Sequence, residues 1–302
     1  MTDRNKRLLF FNVAPLPHSI KLHEKFIQEG YNVDFWYIRA KRSYYPWNNL
    51  DKRNNYRIYR PNIKDFFNLL RSSNKADLVI ITGWHSMAHV LLALYCKIIN
   101  IKYAYWLDIP KPPKPGIKKA AKKLLMNLAD GLYITGEGGF NFYRNYYKIE
   151  NNKLFNFPYL EDFPEDNRFL EINENREKRI LNGEKVKFLI SNRFLERKGY
   201  DIVYKALKNI PEKYSDYLEI TILGDGELKN KYEKLLTQLP LNIYLKGWVE
   251  YEEYKNHLLN SDVFIHASKH EPYGIPPMDA MGYGKLVICS SGVFSSKDRI
   301  IN

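Results

Sequence analysis

Apolar runs of four to six residues alternate with stretches of helical periodicity almost from one end of the chain to the other. In the first half, runs that read as strands fall at 8–13, 33–38, 77–82, 102–107 and 132–135, and the clearest helical pattern lies at 86–99. A second series, at 186–191, 218–223, 242–245, 263–267 and 286–290, is interleaved with helical segments near 201–209, 227–238, 252–259 and 276–283. Strands buried on both faces and separated by helices are the mark of parallel sheets joined by helical crossovers. The pattern predicts an α/β protein with two Rossmann-like domains. Residues 161–185, charged, weakly periodic and broken by Pro164 and Gly183, read as the connection between them, with room for one short helix. The expected domains are 1–163 and 164–302.

A length of 302 residues, 45% hydrophobic and 15% aromatic, supplies material for two cores and excludes a disordered chain. Two cysteines, Cys96 and Cys289, sit in apolar runs and cannot make a disulfide framework, which fits a reducing compartment. The charged first seven residues lack the apolar core of a secretion signal. No uninterrupted apolar stretch reaches the ~18 residues that a membrane span needs. A cytoplasmic protein, at most peripheral on a membrane, is the expectation. The formal net charge of +13 favours anionic partners without choosing among nucleic acid, anionic lipid and phosphate-bearing ligands.

Open parallel sheets bind ligands beyond the carboxyl ends of their strands, so the loops that follow strands come first. After 186–191 the chain carries Arg193, Arg197, Lys198 and Gly199, cations on a turn that opens a helix. After 218–223 comes Gly224-Asp225-Gly226, a tight turn that lets a ligand approach the backbone. After 263–267 come Glu271, Gly274, two prolines suited to a first helical turn, and Asp279 one turn in. A helix beginning there offers N–H groups and positive potential to a phosphate, and Arg193 and Lys198 add side-chain cations. Glu271 and Asp279 are then left for sugar and ribose hydroxyls. The same residues also fit a plain reading, with solvated surface charges, a loop acid and an acid in a first helical turn.

The ordered set Arg193, Lys198-Gly199, Gly224-Asp225-Gly226, Gly247-Trp248-Val249, Glu271-x7-Asp279 and Ala280-Met281-x-x-Gly284 resembles the donor domain of retaining glycosyltransferase family 4, which has the GT-B fold. Fainter likeness runs through 76–85, 129–135 and 156–163, so it covers nearly the whole chain. The resemblance implies two Rossmann-like domains with sheets facing across a cleft. It implies sugar transfer from a nucleotide diphosphate-sugar to a glycan or lipid-linked saccharide acceptor in surface polysaccharide synthesis, with retention at the anomeric carbon. Catalytic roles fall on Glu271, Arg193, Lys198 and, on the acceptor side, Asp108. Donor contacts fall on Arg193, Lys198, Gly224, Gly226, Glu271, Tyr273, Gly274, Ile275 and Asp279. Neither cofactor nor metal is implied, in keeping with the lack of any Asp-x-Asp, and the cations take over the neutralisation of phosphate charge.

The chain departs from the family in four places. Asp279 replaces a usual glutamate, residues 15–19 replace a glycine-rich turn, and Trp106-Leu107-Asp108 stands where a histidine is frequent. Residue 302 follows soon after the fifth strand of the second series, so the C-terminal domain reads as lacking a final strand and return helices. The early stop and the altered first-domain loops keep a non-catalytic GT-B-like partner subunit open, and a sugar-nucleotide epimerase on the same two-domain architecture is the other alternative.

Outside the motif set, His85 and His89 share a helix face without the glutamate of a zinc-protease pattern; packing or capping suits His89, while His85 and His18 sit at strand ends on the acceptor side. Lys111, Lys114, Lys118, Lys119, Lys122 and Lys123 occupy a stretch without carboxylates. If 117–128 is helical, Ile117, Ala121, Leu124 and Leu128 make an apolar stripe beside the lysines, which fits either packing on the sheet or contact with an anionic membrane surface. The lysines are not interleaved with aromatics in any nucleic-acid module, so no nucleic-acid partner is expected.

Overall fold

The structure, a computed structural model, describes residues 6–38, 56–109, 116–159 and 168–297. The chain divides into two compact units, Met1–Leu160 and Glu161–Asn302.

The first unit runs β1 (Arg7–Asn12), α1 (Pro17–Gln28), β2 (Asn32–Tyr37), β3 (Tyr56–Ile58), α2 (Ile63–Ser73), β4 (Leu78–Thr82), α3 (Met87–Ile98), β5 (Tyr103–Leu107), α4 (Ile117–Leu128), β6 (Gly131–Ile134), α5 (Gly136–Tyr146) and β7 (Leu154–Asn156). Its seven strands are all parallel in the order β3-β2-β1-β4-β5-β6-β7. Strands such as β5, buried at every position, are the near-continuous apolar runs that a sheet covered on both faces requires. One core joins Leu92, Ala93 and Cys96 of α3 with Met126 of α4 and Tyr143 of α5, and a second joins Phe10, Leu22, Phe35 and Trp106.

The second unit runs α6 (Arg168–Leu181), β8 (Val186–Ser191), α7 (Tyr200–Lys208), β9 (Leu218–Leu223), α8 (Lys229–Leu236), β10 (Asn242–Gly247), α9 (Tyr251–Leu259), β11 (Val263–His266), α10 (Ile275–Gly282), β12 (Leu286–Cys289) and α11 (Phe294–Lys297). Its sheet is parallel in the order β10-β9-β8-β11-β12. Both units therefore have the Rossmann-like layering that the alternation predicts.

One expectation needs correction. The segment 161–185 is more than a connection with a short helix, because 14 residues of it form α6. That helix is held to the second unit by polar ties: Arg179 donates to the buried Asp262 at 2.6 Å, Asn173 donates to Tyr283 O at 3.1 Å and Arg176 to Gly284 O at 2.8 Å. The apolar stripe of α4, left open between packing and membrane contact, is divided: Leu128 packs against the core of the first unit beside Leu125, and the other end of the stripe faces outward. Ile117 is 89% exposed and Leu124 60%, while Met126 is buried and Lys119 and Lys122 lie over the rings of Tyr146 and Trp84 at 3.8 and 5.1 Å. The helix is turned so that lysine stems cover aromatic surface, as amphipathic side chains can. Lys111 and Lys114 lie outside the described residues.

Candidate functional site

The order of the second sheet reverses between β8 and β11, which pair directly through Leu189 with Phe264 and Ile190 with Ile265. Such a switch point opens a crevice beyond the carboxyl ends of the two strands. The loops after β8, β9 and β11 meet there and carry the candidate residues.

Their backbones are tied together. Phe194 N–H donates to Asp225 O at 3.0 Å, Leu228 N–H to Phe194 O at 3.0 Å, and Lys269 N–H to Arg197 O at 2.8 Å. The close approaches require glycine. Gly224 has φ +136°, and a Cβ on it would sit 1.9 Å from Asn192 O; Gly199 has φ +73°, and a Cβ there would sit 1.9 Å from Ala267 O.

Lys198 closes a 3-10 turn over Glu196–Lys198, and its ammonium meets the Glu271 carboxylate in an ion pair whose two side chains are largely buried. Arg197 Nη1 reaches the same oxygen, Glu271 Oε2, at 3.3 Å. Burial lowers the Lys198 pKa from its ordinary value; Glu271 opposes the shift, and the positive charges of Arg197 and Arg193 add to it. Arg193 is thus near enough to share the electrostatics of the cluster. For Glu271 burial acts to raise the pKa, but contact with His266 and the Lys198 and Arg197 charges outweigh it and hold the carboxyl at about 2.

His266, the last residue of β11, is fully buried, with Nδ1 3.1 Å from Asn192 Nδ2 and Nε2 3.2 Å from Ser268 Oγ and 3.7 Å from Glu271 Oε2. Burial lowers its pKa, partly offset by Glu271.

Downstream, Gly274 at φ +97° starts α10, and a Cβ there would meet Val293 Cγ1 at 2.8 Å and Glu271 Cγ at 3.3 Å. The expected row of N–H donors at this helix start is thin, because Pro276 and Pro277 have none and Ile275 alone brings one among the first three helical residues. Tyr273 is buried, and its carbonyl accepts the Ser295 N–H at 2.9 Å. Asp279, expected at ribose hydroxyls, is 5% exposed and accepts the Tyr254 hydroxyl at 3.2 Å. Lys198 and Glu271 are therefore in contact and Arg193 acts on them, whereas Asp279 lies one turn inside the helix in a buried setting.

Asp108, assigned to the acceptor side, belongs to the first unit. It is exposed at the end of β5, where Oδ1 accepts the hydroxyls of Tyr159 at 2.7 Å and Thr135 at 3.0 Å. The Tyr159 ring lies 4.4 Å from that of His18. His89 is buried against Phe11 with Nδ1 3.0 Å from Ser86 Oγ, and burial pushes its pKa down to about 3. The His85 ring is 5.9 Å from that of His89. Arg197's carboxylate contact, His266, Asn192 and Tyr159 escaped the sequence reading; a polar residue ending an apolar strand, as His266 does, was the available signal.

The two parallel α/β sheets have the fold of solved GT-B glycosyltransferase structures. The family model of glycosyl transferases group 1 matches residues 171–302, most of the second unit. An uncharacterized glycosyltransferase of Methanocaldococcus jannaschii is 31% identical over 231 residues, which are 74% of this chain and 51% of that protein. The lipopolysaccharide core biosynthesis glycosyltransferase LpsE of Rhizobium meliloti is 32% identical over 98 residues, 32% of this chain and 27% of that one. The matches thus take in about half or less of these curated relatives. Among solved structures, Anabaena Alr3699/HepE in complex with UDP and glucose superposes with a TM-score of 0.66 at 13% identity, over 97% of this chain and 83% of that one.

Proposed function

We propose that this chain carries the donor site of a retaining, metal-independent glycosyltransferase that moves a hexose from a nucleotide diphosphate-sugar to a saccharide or lipid-linked saccharide of a surface glycan. The observation that carries the reading is the meeting of Lys198, Arg197 and Glu271 at the β8–β11 switch point, with Arg193 acting on it and Gly224 and Gly226 on the adjoining loop. Leaving-group departure puts negative charge on the β-phosphate, and cations already fixed in a partly buried site stabilise that charge without reorganisation. Arg193 and Lys198 take that role, Glu271 faces the transferred sugar, and Asp279 acts on the ribose side through or beside Tyr254. The UDP held by the HepE structure supports a nucleotide donor. Asp108, steadied by Tyr159 and Thr135, is assigned to the acceptor.

The acceptor's setting is assigned to the cytoplasmic membrane surface. The outward sides of α3 and α4 expose Met87, Leu91, Ile98, Ile117 and Leu124, and the only charged residues on these two helices are lysines. Apolar groups flanked by cations suit the boundary of an anionic leaflet. Among the described residues no helix is long and apolar enough to cross a membrane.

The test is isothermal titration of the full chain with pyrophosphate, UDP, GDP and ADP, followed by donor hydrolysis or transfer with a panel of nucleotide sugars. Binding of pyrophosphate and of one nucleotide, lost in Arg193→Ala and Lys198→Ala, is expected. Nucleotide affinity unchanged in both variants removes the mechanism, and nucleotide binding without turnover on any acceptor-bearing membrane fraction identifies a non-catalytic relative instead.

A further inference from the structure

We propose that His266 is a positioning residue for Glu271: its ring, locked in one tautomer by Asn192, presents an Nε2–H toward the carboxylate and keeps it in place when Lys198 turns to a bound diphosphate. What Glu271 then does rests on the donor-site reading above; where it is held does not.

The tautomer follows from hydrogen-bond chemistry. Asn192 Nδ2 is an amide NH2 that can only donate, and it lies 3.1 Å from His266 Nδ1. Nδ1 must therefore be the bare acceptor nitrogen, and a neutral ring carries its proton on Nε2. Full burial favours that neutral ring. The Nε2–H has two oxygens before it, Ser268 Oγ at 3.2 Å and Glu271 Oε2 at 3.7 Å.

Asn192 is itself fixed. Its N–H donates to Leu223 O at 3.1 Å, its carbonyl accepts the Tyr200 hydroxyl at 2.9 Å, and Gly224 leaves no room for a side chain against that carbonyl. A chain of contacts thus runs from the turn after β9 through Asn192 and His266 to Glu271. Three groups converge on Oε2: Lys198, Arg197 and His266. Lys198 is needed by the diphosphate, and Arg197 is exposed to solvent screening. Of the three, the imidazole alone is fully buried and is not drawn to the diphosphate.

The experiment is NMR on the full chain without any donor. Long-range proton–nitrogen spectra read the His266 tautomer, and selective carboxyl carbon labelling of glutamate, assigned with Glu271→Gln, reads the Glu271 titration. We expect the ring proton on Nε2 and a Glu271 midpoint near 2 in the wild type. His266→Phe should raise that midpoint by about one pH unit, and His266→Gln, which restores an N–H, should return most of it. Asn192→Asp, which can only accept, should move the ring proton to Nδ1 and raise the imidazole titration. A wild-type ring proton on Nδ1, or an unchanged Glu271 midpoint in folded His266→Phe, overturns the proposal. Should His266→Phe fail to fold, the wild-type tautomer and Asn192→Asp decide the matter. Pyrophosphate titration separates the two readings: absent binding with the expected midpoints removes the donor site alone, and normal binding with unmoved midpoints removes the positioning role alone.

Discussion

Lys198 and Glu271 stand 73 residues apart in the chain and pair across the ends of β8 and β11. At the proposed donor site the carboxylate occupies the cation that a diphosphate would need. The pair is thus a self-occupied form of the site, and a ligand must compete with it.

Glu271→Gln removes that competitor while leaving the shape nearly unchanged. Pyrophosphate binding, measured by titration calorimetry, should tighten about three- to tenfold, because less of the population is held in the self-paired form. Sugar transfer or donor hydrolysis by the same variant should fall steeply. Lys198→Ala should weaken pyrophosphate binding at least about tenfold, a loss on the scale of one charge-assisted contact.

Gly224→Ala forces a methyl group onto the Asn192 carbonyl at a backbone angle that side chains rarely adopt. The expected cost is about 2 kcal/mol or more in denaturant unfolding, with loss of nucleotide binding. Gly183→Ala, where a Cβ would meet nothing within 4 Å, is the comparison that separates crowding from backbone angle alone.

Lys285 is buried, and burial followed by the positive charge of Arg176 brings its pKa down to about 8, with Asp262 opposing and Arg179 adding. Its ordinary value is 10.5, so between about 8 and 10.5 the unfolded chain holds a proton that the folded chain has released. Stability from this group therefore rises with pH across that window, and the penalty is fully present below it. Unfolding free energies of wild type and Lys285→Met, followed from pH 7 to 10.5, should show the wild type gaining on the variant.

Vesicle flotation tests the outward faces of α3 and α4. The full chain should float with phosphatidylglycerol-containing vesicles at low salt and stay behind with pure phosphatidylcholine. Ile117→Ser with Leu124→Ser should lower the floated fraction about tenfold or more without lowering the melting temperature, since both residues are exposed.

Strands of the second unit were legible as short runs rich in apolar and β-branched residues between helical stretches, even though Lys187 and Glu219 interrupt two of them; β8 and β9 fall at the expected residues. The two strands missed, β3 and β7, are three-residue edge strands of the first sheet, too short for a pattern. The length of α6 was hidden because its hold on the sheet is ionic, through Arg179 and Asp262, and charged residues read as solvated. The meeting of Lys198 with Glu271 could be anticipated from strand ends alone. The burial of Asp279 could not, since it depends on Tyr254 from a helix whose distance no local spacing reveals.

The neighbouring places of β8 and β11 in the sheet also bear on how the protein is made. As the chain leaves the ribosome, Lys198 emerges long before Glu271, with α7, β9, α8, β10, α9 and β11 synthesised in between. Parallel pairing across such a separation gives the unit a high contact order and makes the meeting of Lys198 with Glu271, and with it the proposed phosphate site, a late event of folding. A nucleotide added during refolding should accordingly leave the early, fast phases untouched and act on the last step alone.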